Sequence, residues 1–370
     1  MRVLIGGDYC PRYRLENIIE NEDYNKVFSE VRDLTAKSDY SIVNFECPIV
    51  LGEAMPIEKH GPNLKCTARG AEALKWAGFD CFTLANNHFY DYGCKGVKDT
   101  LNTCKQLNID TVGGGLNIEE ASQTLYKVID GKSLAIINCC EHEFSIAKNE
   151  VAGSNPLNPI KQYYAIKEAG RIADYVLVIV HGGHEFFQLP SLRMVETYRF
   201  FIDAGASAVI NHHQHCYSGF ETYKGKLIFY GLGNFCFDNV NAHEGLWTEA
   251  YLVSIDFSDK ENSFKLHPIR QCASLPKVEV LPIDSYKKEI DELNSIISKD
   301  YLLEKELVKY YSSCAENYSS IFEPFYNRLY LGAMHRGWVP SLINKQRLLA
   351  AQNFVCCEAH RDKLTWFLDR

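Results

Sequence analysis

The chain has 370 residues, the length of two or three average domains. Hydrophobic residues make up 46% and charged residues 23%, a balance typical of folded proteins that excludes a disordered chain. Since 39 Lys and Arg face 47 Asp and Glu, the net charge is −8, and we expect no broad nucleic-acid-binding surface. The longest apolar runs fall short of the roughly 18 residues that a spanning helix needs. We therefore expect no membrane span, no signal peptide and a cytoplasmic location.

Fourteen cysteines are scattered through the chain without a repeated C-x-x-C spacing. That distribution predicts reduced, mostly buried thiols and neither a disulfide framework nor a structural zinc site.

The first 215 or so residues alternate short apolar runs with segments of helical spacing, which predicts an α/β fold with a mainly parallel sheet. The predicted strands are Val3–Asp8, Ser41–Glu46, Cys81–Asn87, Leu134–Cys139, Tyr175–His181 and Ala208–His213. The predicted helices are Tyr24–Lys37, Gly70–Trp76, Val97–Leu107, Ile160–Ala173 and Ser191–Asp203. Gly113–Gly115 could bind phosphate through backbone N–H groups, but a tight strand-to-loop turn is the interpretation we favour.

Beyond His215 the pattern changes to consecutive strands, Leu227–Tyr230, Ala250–Phe257 and Phe264–Gln271, which predicts antiparallel pairing in a meander or a second sheet. Helical patterns follow, so we predict a domain of residues 1–278 and a helical C-terminal region of residues 279–370. Its aromatic residues are compatible with three roles: packing between helices, a sugar or partner surface, and a homodimer contact. Light scattering would test the homodimer. These aromatic residues are Tyr301, Tyr310, Tyr311, Tyr318, Phe322, Phe325, Tyr326, Tyr330 and Trp338.

Residues that commonly bind metals stand at the end of five predicted strands, and ligands of open α/β sheets bind at such ends. They are Asp8, Glu46, Asn87 with His88, His181, and His213 with His215. Each alone could have an ordinary structural role, but five together favour a site. Residues i and i+2 of an extended segment face the same way, so His213 and His215 are expected to reach one ion. Mixed oxygen and nitrogen ligands suit Mn, Fe or Zn.

The order of the motifs resembles that of the CapA-like family of bacterial capsule and poly-γ-glutamate synthesis proteins, which has the calcineurin-like metallophosphatase fold. The motifs are Gly7-Asp8, Asn44-Phe45-Glu46, Ala85-Asn86-Asn87-His88-x-x-Asp91-Tyr92-Gly93, His181-Gly182-Gly183-His184-Glu185, His212-His213-Gln214-His215 and Gly231-Leu232-Gly233-Asn234-Phe235. The resemblance covers roughly Arg2 to Phe257. It implies an α/β/β/α sandwich of two packed mixed sheets, followed here by a C-terminal helical appendage.

The resemblance also implies a centre of one or two divalent ions. Glu46 would bridge two ions and His88 would act beside the leaving group, oriented by Asp91. The implied metal ligands are Asp8, Glu46, Asn87, His181, His213 and His215. Residues expected in the pocket wall or behind the ligands are Cys10, His184, Glu185 and Asn234. Cys10 stands where metallophosphatases usually carry a histidine; it could bind metal as a thiolate, but a packed thiol is the interpretation we favour.

The sequence thus predicts a metal-dependent hydrolase of a small or polymeric substrate that carries phosphate or γ-glutamyl groups. Hydrolysis of a phosphoester is the leading hypothesis. Two others stay open: a capsule or polyglutamate assembly factor with little or no catalytic activity, and an amide hydrolase that cleaves γ-glutamyl bonds.

Overall fold

Strands of two mixed sheets form the centre of the computed structural model, which describes residues 1–322, 327–340 and 344–368. Within these residues the strands are β1 (Arg2–Cys10), β2 (Tyr40–Phe45), β3 (Cys81–Thr83), β4 (Asp110–Val112), β5 (Gly114–Gly115), β6 (Leu125–Ile129), β7 (Lys132–Cys140), β8 (Gly153–Ser154), β9 (Tyr175–His181), β10 (Ala208–His212), β11 (Phe220–Tyr223), β12 (Lys226–Phe229), β13 (Asn234–Phe237), β14 (Glu249–Asp256), β15 (Ser263–Gln271) and β16 (Val278–Val280).

The α-helices are α1 (Arg14–Glu20), α2 (Tyr24–Thr35), α3 (Ala68–Ala77), α4 (Gly93–Gln106), α5 (Ile118–Ala121), α6 (Pro159–Ile172), α7 (Leu192–Ala204), α8 (Lys287–Ile297), α9 (Asp300–Phe322), α10 (Arg328–His335), α11 (Lys345–Cys356) and α12 (Glu358–Leu368). Among these described helices, none combines the length and apolar character needed to cross a bilayer.

The first sheet has eight strands in the order β16-β15-β14-β1-β2-β3-β4, with β13 also paired to β1. Strands β1 to β4 run parallel, whereas β14, β15 and β16 are antiparallel to their neighbours. The second sheet has the order β11-β12-β10-β9-β7-β6; its four inner strands are parallel and its edges antiparallel. Because parallel strands end at the same edge, both sheets bring several carboxyl ends together.

The two sheets pack face to face through an apolar layer that includes Ile5 and Ile42 of the first sheet and Ile136, Leu177 and Ile210 of the second. A second buried cluster joins the outer face of the first sheet to helices α1 to α4. A third joins the outer face of the second sheet to α6, α7 and α9. This four-layer order confirms the predicted α/β/β/α sandwich, with a helical C-terminal region after the last strand.

The six predicted buried strands are all present, but the third is shorter than predicted. It ends at Thr83, and the chain then leaves the sheet as a loop that carries Asn87 and His88. Strand β16 (Val278–Val280) of the first sheet was not predicted. It pairs with β15, so the sheet extends two residues beyond the predicted domain boundary at residue 278. The division into domains at that residue stays a prediction.

The glycines after β4 form a turn, as the sequence favoured. Gly113 has a φ of +87°, and a Cβ there would lie 2.0 Å from Asn138 Oδ1. The next two residues form β5, which pairs with β8. Only glycine fits this left-handed, crowded position, so packing accounts for it.

Polar contacts fix α12 to the body of the protein. The carboxylate of Glu358 accepts hydrogen bonds from the backbone N–H of His142 at 2.8 Å and lies 2.6 Å from its Nδ1. Arg193 pairs with both Glu141, at 2.7 Å, and Asp362, at 3.0 Å. The start of the last helix is therefore held at several points.

These contacts predict that the protection of the α12 backbone amides against hydrogen exchange depends on pH. The hydrogen bond to Glu358 raises the pKa of His142 above its usual value, so the stabilisation is complete below about pH 6.5 and is lost as the pH rises through the raised pKa. We expect amide-exchange protection factors in α12 to fall as the pH rises from about 6.5 through the raised pKa of His142. The His142→Gln variant should lose this dependence. Constant protection in the wild type over that range would contradict the assignment.

The predicted aromatic surface is divided. Tyr310 stacks on Phe187 with ring centroids 4.1 Å apart, and Tyr311 is buried, so helix packing accounts for these two. Tyr301 and Trp338 are exposed. Phe325, Tyr326 and the side chains of Tyr318 and Phe322 lie outside the described residues.

Candidate metal centre

The strand ends of both sheets bring the six predicted metal ligands together. Asp8 lies in β1, and the others follow or end β2, β3, β9 and β10. All six are buried: Asp8, Glu46, Asn87, His181, His213 and His215. A buried cluster of two carboxylates and three imidazoles, brought together from the ends of four strands, is costly to assemble without a function.

The acidic and imidazole ligand atoms form two groups that share one carboxylate. Glu46, His181 and His213 make up the first, and Asp8, Glu46 and His215 the second; within each group the ligand atoms lie within 4.8 Å of one another. Glu46 Oε1 is 3.6 Å from His181 Nε2 and 3.7 Å from His215 Nε2. The arrangement is compatible with one ion or with two ions that Glu46 bridges.

The carboxylate of Glu46 shows that the chemistry of these residues fits a cation. Both of its oxygens are buried and lack a hydrogen-bond partner. Burial, followed by the nearby charge of Asp8, raises its pKa well above the usual value. An unpartnered buried carboxylate destabilises a fold, and a divalent cation would remove that cost.

The imidazole ring of His181 is in the form that binds metal. Burial, and then neighbouring His213, lowers the pKa of His181 well below its usual value, so the ring is neutral at pH 7. His181 Nε2 lies 3.0 Å from Asn87 Oδ1 and 3.0 Å from His213 Nδ1. The Asn87 amide oxygen therefore lies beside the first group of ligand atoms, and its role as a ligand stays a prediction.

Asn44, which the sequence motif contained but to which no role was given, connects two ligands. Its side-chain amide donates to Asp8 Oδ1 at 2.7 Å and lies 3.2 Å from His181 Nδ1. The amide thereby holds both side chains in orientation, as groups behind metal ligands commonly do.

The two histidines after β10 reach the centre by a different backbone path from the one expected. The strand ends at His212, and His213 and His215 have φ values of +94° and +55°. The prediction that an extended segment aligns them was therefore wrong, although both side chains reach the centre. Left-handed backbone at two non-glycine residues stores strain, a feature that concentrates at functional sites.

Asn234, which is predicted in the pocket wall or behind the ligands, contacts His215. Its Oδ1 lies 2.9 Å from His215 Nδ1, and its amide donates to the backbone oxygens of His215 and Trp247. Since Nδ1 is engaged, Nε2 is the ring nitrogen of His215 that faces Glu46.

Beside the ligands, His88 and Asp91 form the predicted pair, and Lys59 joins it. His88 Nδ1 lies 2.7 Å from Asp91 Oδ2 and 3.1 Å from Lys59 Nζ, and Lys59 also pairs with Asp91. Burial, and then Lys59, lowers the pKa of His88 to about 4. The sequence missed Lys59 because it stands in a long irregular loop without a recognisable motif.

Cys10 lies in the apolar core and belongs to neither group of ligand atoms. Burial, and then the adjacent thiol of Cys47, raises its pKa well above the usual value. These surroundings disfavour the thiolate that would bind a metal. The packed-thiol interpretation fits this placement better than ligation does.

The Cys10→Ala variant tests this placement. We expect unchanged metal content, because the thiol lies outside both groups, and a loss of roughly 1 kcal/mol in the free energy of unfolding from the lost packing. Elemental analysis and denaturant unfolding measure the two quantities. A variant that lost an ion would show that Cys10 is a ligand.

His184 and Glu185 are adjacent in sequence but point to different surroundings. His184 Nε2 lies 3.1 Å from the Tyr311 hydroxyl, so this side chain contacts helix α9 and does not line the pocket. Glu185 lines the pocket, with Oε1 4.0 Å from His213 Nε2.

A cavity of about 400 Å³ opens over the ligands. Its wall includes Asn87, His88, Glu143, His213 and His215. Burial, followed by the charge of Glu185, raises the pKa of Glu143 to about 8. Residues of the C-terminal helices complete the wall. The sequence offered no signal for that contribution.

Comparison with protein families places the chain among known sequences. The model described as "Bacterial capsule synthesis protein PGA_cap" matches residues 2–239, which contain all six candidate ligands. The capsule biosynthesis protein CapA of Bacillus anthracis is 35% identical over 240 residues, 63% of this chain and 58% of that protein. The PGA biosynthesis protein CapA of Bacillus subtilis (strain 168) is 32% identical over 235 residues, 63% of this chain and 62% of that protein. The match thus spans about 60% of either relative.

Solved structures with similar folds are more distant. A hypothetical protein from Thermus thermophilus has a TM-score of 0.46 and 17% identity, covering 76% of this chain and 100% of its own. A putative 5'-nucleotidase from Staphylococcus aureus has a TM-score of 0.43 and 14% identity, covering 80% of this chain and 58% of its own.

Proposed function

Because the chain belongs to the bacterial capsule synthesis protein family PGA_cap, we propose that it is a metal-dependent phosphoester hydrolase that acts in capsule or poly-γ-glutamate synthesis. The observation that carries the proposal is the buried Glu46 carboxylate, which lacks a hydrogen-bond partner and is shared by two groups of ligand atoms. Mn, Fe or Zn would suit these oxygen and nitrogen ligands.

Asp8, Glu46, His181, His213 and His215 would hold one or two divalent ions, with the amide oxygen of Asn87 beside the first group. Such ions lower the pKa of a water molecule and stabilise charge on phosphoryl oxygens. Asp8 and His181 lie within strands, which fix their backbone, and the Asn44 amide holds both side chains in orientation.

His88 would serve the leaving group. Its Nδ1 contacts Asp91 and Lys59, which leaves Nε2 as the atom that can contact a substrate oxygen in the cavity. Asp91 accepts hydrogen bonds from the backbone N–H of Leu64 and from Lys59. These bonds hold its carboxylate in place, so that it can orient the His88 ring. With Nδ1 accepting from Lys59, the neutral imidazole would carry its proton on Nε2 and would donate a hydrogen bond to the oxygen on which charge develops.

The experiment is a hydrolysis screen of the protein loaded with Mn²⁺, and separately with Zn²⁺, against phosphomonoesters, phosphodiesters and γ-glutamyl peptides. We expect release of phosphate or alcohol from a phosphoester, abolished by a chelator and restored by the metal. Cleavage of γ-glutamyl peptides alone would replace the phosphoesterase assignment with amide hydrolysis. No turnover of any class by metal-loaded protein would refute an enzyme of either kind.

A second candidate function, assembly of the polymer without catalysis, is favoured by one observation. Cys10 occupies the position at which metallophosphatases usually have a histidine, and it is packed in the core. A protein that binds one ion and a γ-glutamyl polymer, but turns over no substrate in the screen, would fit this function.

A further inference from the structure

The C-terminal helices form one wall of the cavity above the candidate metal centre. Asn353 of α11, Cys357, and Ala359, His360 and Lys363 of α12 line it. The family model ends at residue 239, so this wall lies outside the part of the chain that the family shares.

The wall is fixed in place on both sides of its lining residues. Glu141 accepts a hydrogen bond from the backbone N–H of Ala359 at 3.0 Å, and Arg193 pairs with Asp362, next to Lys363. Lys363 and His360 are therefore presented from an anchored helix, as a specific binding contact requires.

Lys363 is one of three cationic residues among the described residues that line the cavity; the other two, Arg12 and Lys59, stand on the side of the N-terminal half of the chain. Lys363 Nζ lies 5.6 Å from the centre of the Tyr310 ring, and the side chain is half buried. His360 packs against Phe354, with ring centroids 5.0 Å apart. Phe354 in turn faces His60, of the loop between β2 and α3, with ring centroids 6.2 Å apart. The Lys363 cation thus lies beside a rim of aromatic and imidazole rings, where an arriving anion would be partly shielded from water.

We propose that Lys363, assisted by His360, binds a carboxylate of the substrate distant from the bond that is cleaved. The inference rests on the proposed function, since it assumes that the phosphoryl group lies at the metal centre. The Lys363 ammonium matches the charge of one carboxylate, and the Glu185 carboxylate in the same cavity opposes a group with two charges. The substrate class is therefore a phosphoester that also carries a carboxylate.

The test uses two phosphonates that cannot be hydrolysed, benzylphosphonate and 4-(phosphonomethyl)benzoate, which differ only in the distant carboxylate. Calorimetry with Mn²⁺-loaded full-length protein gives the Kd of each. We expect the carboxylated probe to bind about tenfold more tightly to the wild type. Lys363→Met should remove that advantage while changing the Kd of benzylphosphonate less than about twofold. His360→Gln should reduce the advantage in part.

Arg361→Met is the matched control, because Arg361 lies on the same helix and is exposed, outside the cavity wall. It should retain the full preference for the carboxylated probe, and all variants should keep the wild-type metal content and Tm. Equal binding of the two probes by the wild type, or equal weakening of both by Lys363→Met, would overturn the proposal.

Turnover and probe binding separate the two hypotheses. A preference for the carboxylated probe without hydrolysis in the screen would refute the hydrolase and support the carboxylate site. Hydrolysis with equal binding of the probes would refute the carboxylate site alone.

Discussion

Replacing Glu46 by Gln is expected to weaken metal binding at least about 100-fold and to lower hydrolysis on the order of 1,000-fold. Glu46 belongs to both groups of ligand atoms, so the loss of its charge affects every ion in the centre. An amide supplies one neutral oxygen in place of a carboxylate, which a divalent ion binds more weakly. Elemental analysis after dialysis and steady-state kinetics measure the two effects.

The stability of the same variant distinguishes loss of a ligand from loss of the fold. Without metal, the two Glu46 oxygens are buried and unpartnered, so removing the charge should leave the Tm of metal-free protein equal to or above that of the wild type. With metal, the wild type should gain stability and the variant should not. The control is Glu221→Gln. Glu221 lies on β11 of the second sheet, where its carboxylate pairs with Arg199 of α7, and this variant should retain the metal. A Glu46→Gln protein with full metal content would contradict the assignment.

Replacing His88 by Gln is expected to lower kcat by about 100- to 1,000-fold with unchanged metal content. The ring lines the cavity and contacts Asp91 and Lys59 through Nδ1, so the variant removes the nitrogen proposed to meet the leaving group. His88 belongs to neither group of metal-binding atoms. Kinetics with one phosphoester, together with elemental analysis, give both quantities.

The matched control for this variant is His267→Gln, the same change at a residue of β15 that hydrogen-bonds Ser254. It should retain wild-type kcat. Loss of metal from His88→Gln would reassign the residue as a ligand, and unchanged kcat would remove His88 from the mechanism.

Much of the fold and the candidate ligand set could be predicted from the sequence because both depend on local pattern. Charge-free runs become buried strands, and the polar residue that ends each run is carried to the common edge of the sheets. The strands β6, β11, β13 and β16, of three to five residues each, were missed. Segments of that length carry too little periodicity to be recognised, and their pairing partners determine them.

The rest of the site depends on contacts that no local pattern encodes. Lys59 reaches His88 across an irregular loop, and Lys363 reaches the cavity from a helix about 150 residues beyond the last ligand. The positive φ angles at His213 and His215 likewise had no signal in the sequence, since neither residue is a glycine. The roles of the individual site residues, the domain division and the cytoplasmic location stay predictions.

The most direct test is an anomalous-difference map from crystals of the protein loaded with Mn²⁺. The account predicts one or two peaks within coordination distance of the Glu46 carboxylate, one beside His181 and His213 and, where a second ion binds, another beside Asp8 and His215. A fully loaded crystal with no peak at Glu46, or with its peaks elsewhere in the chain, would contradict it.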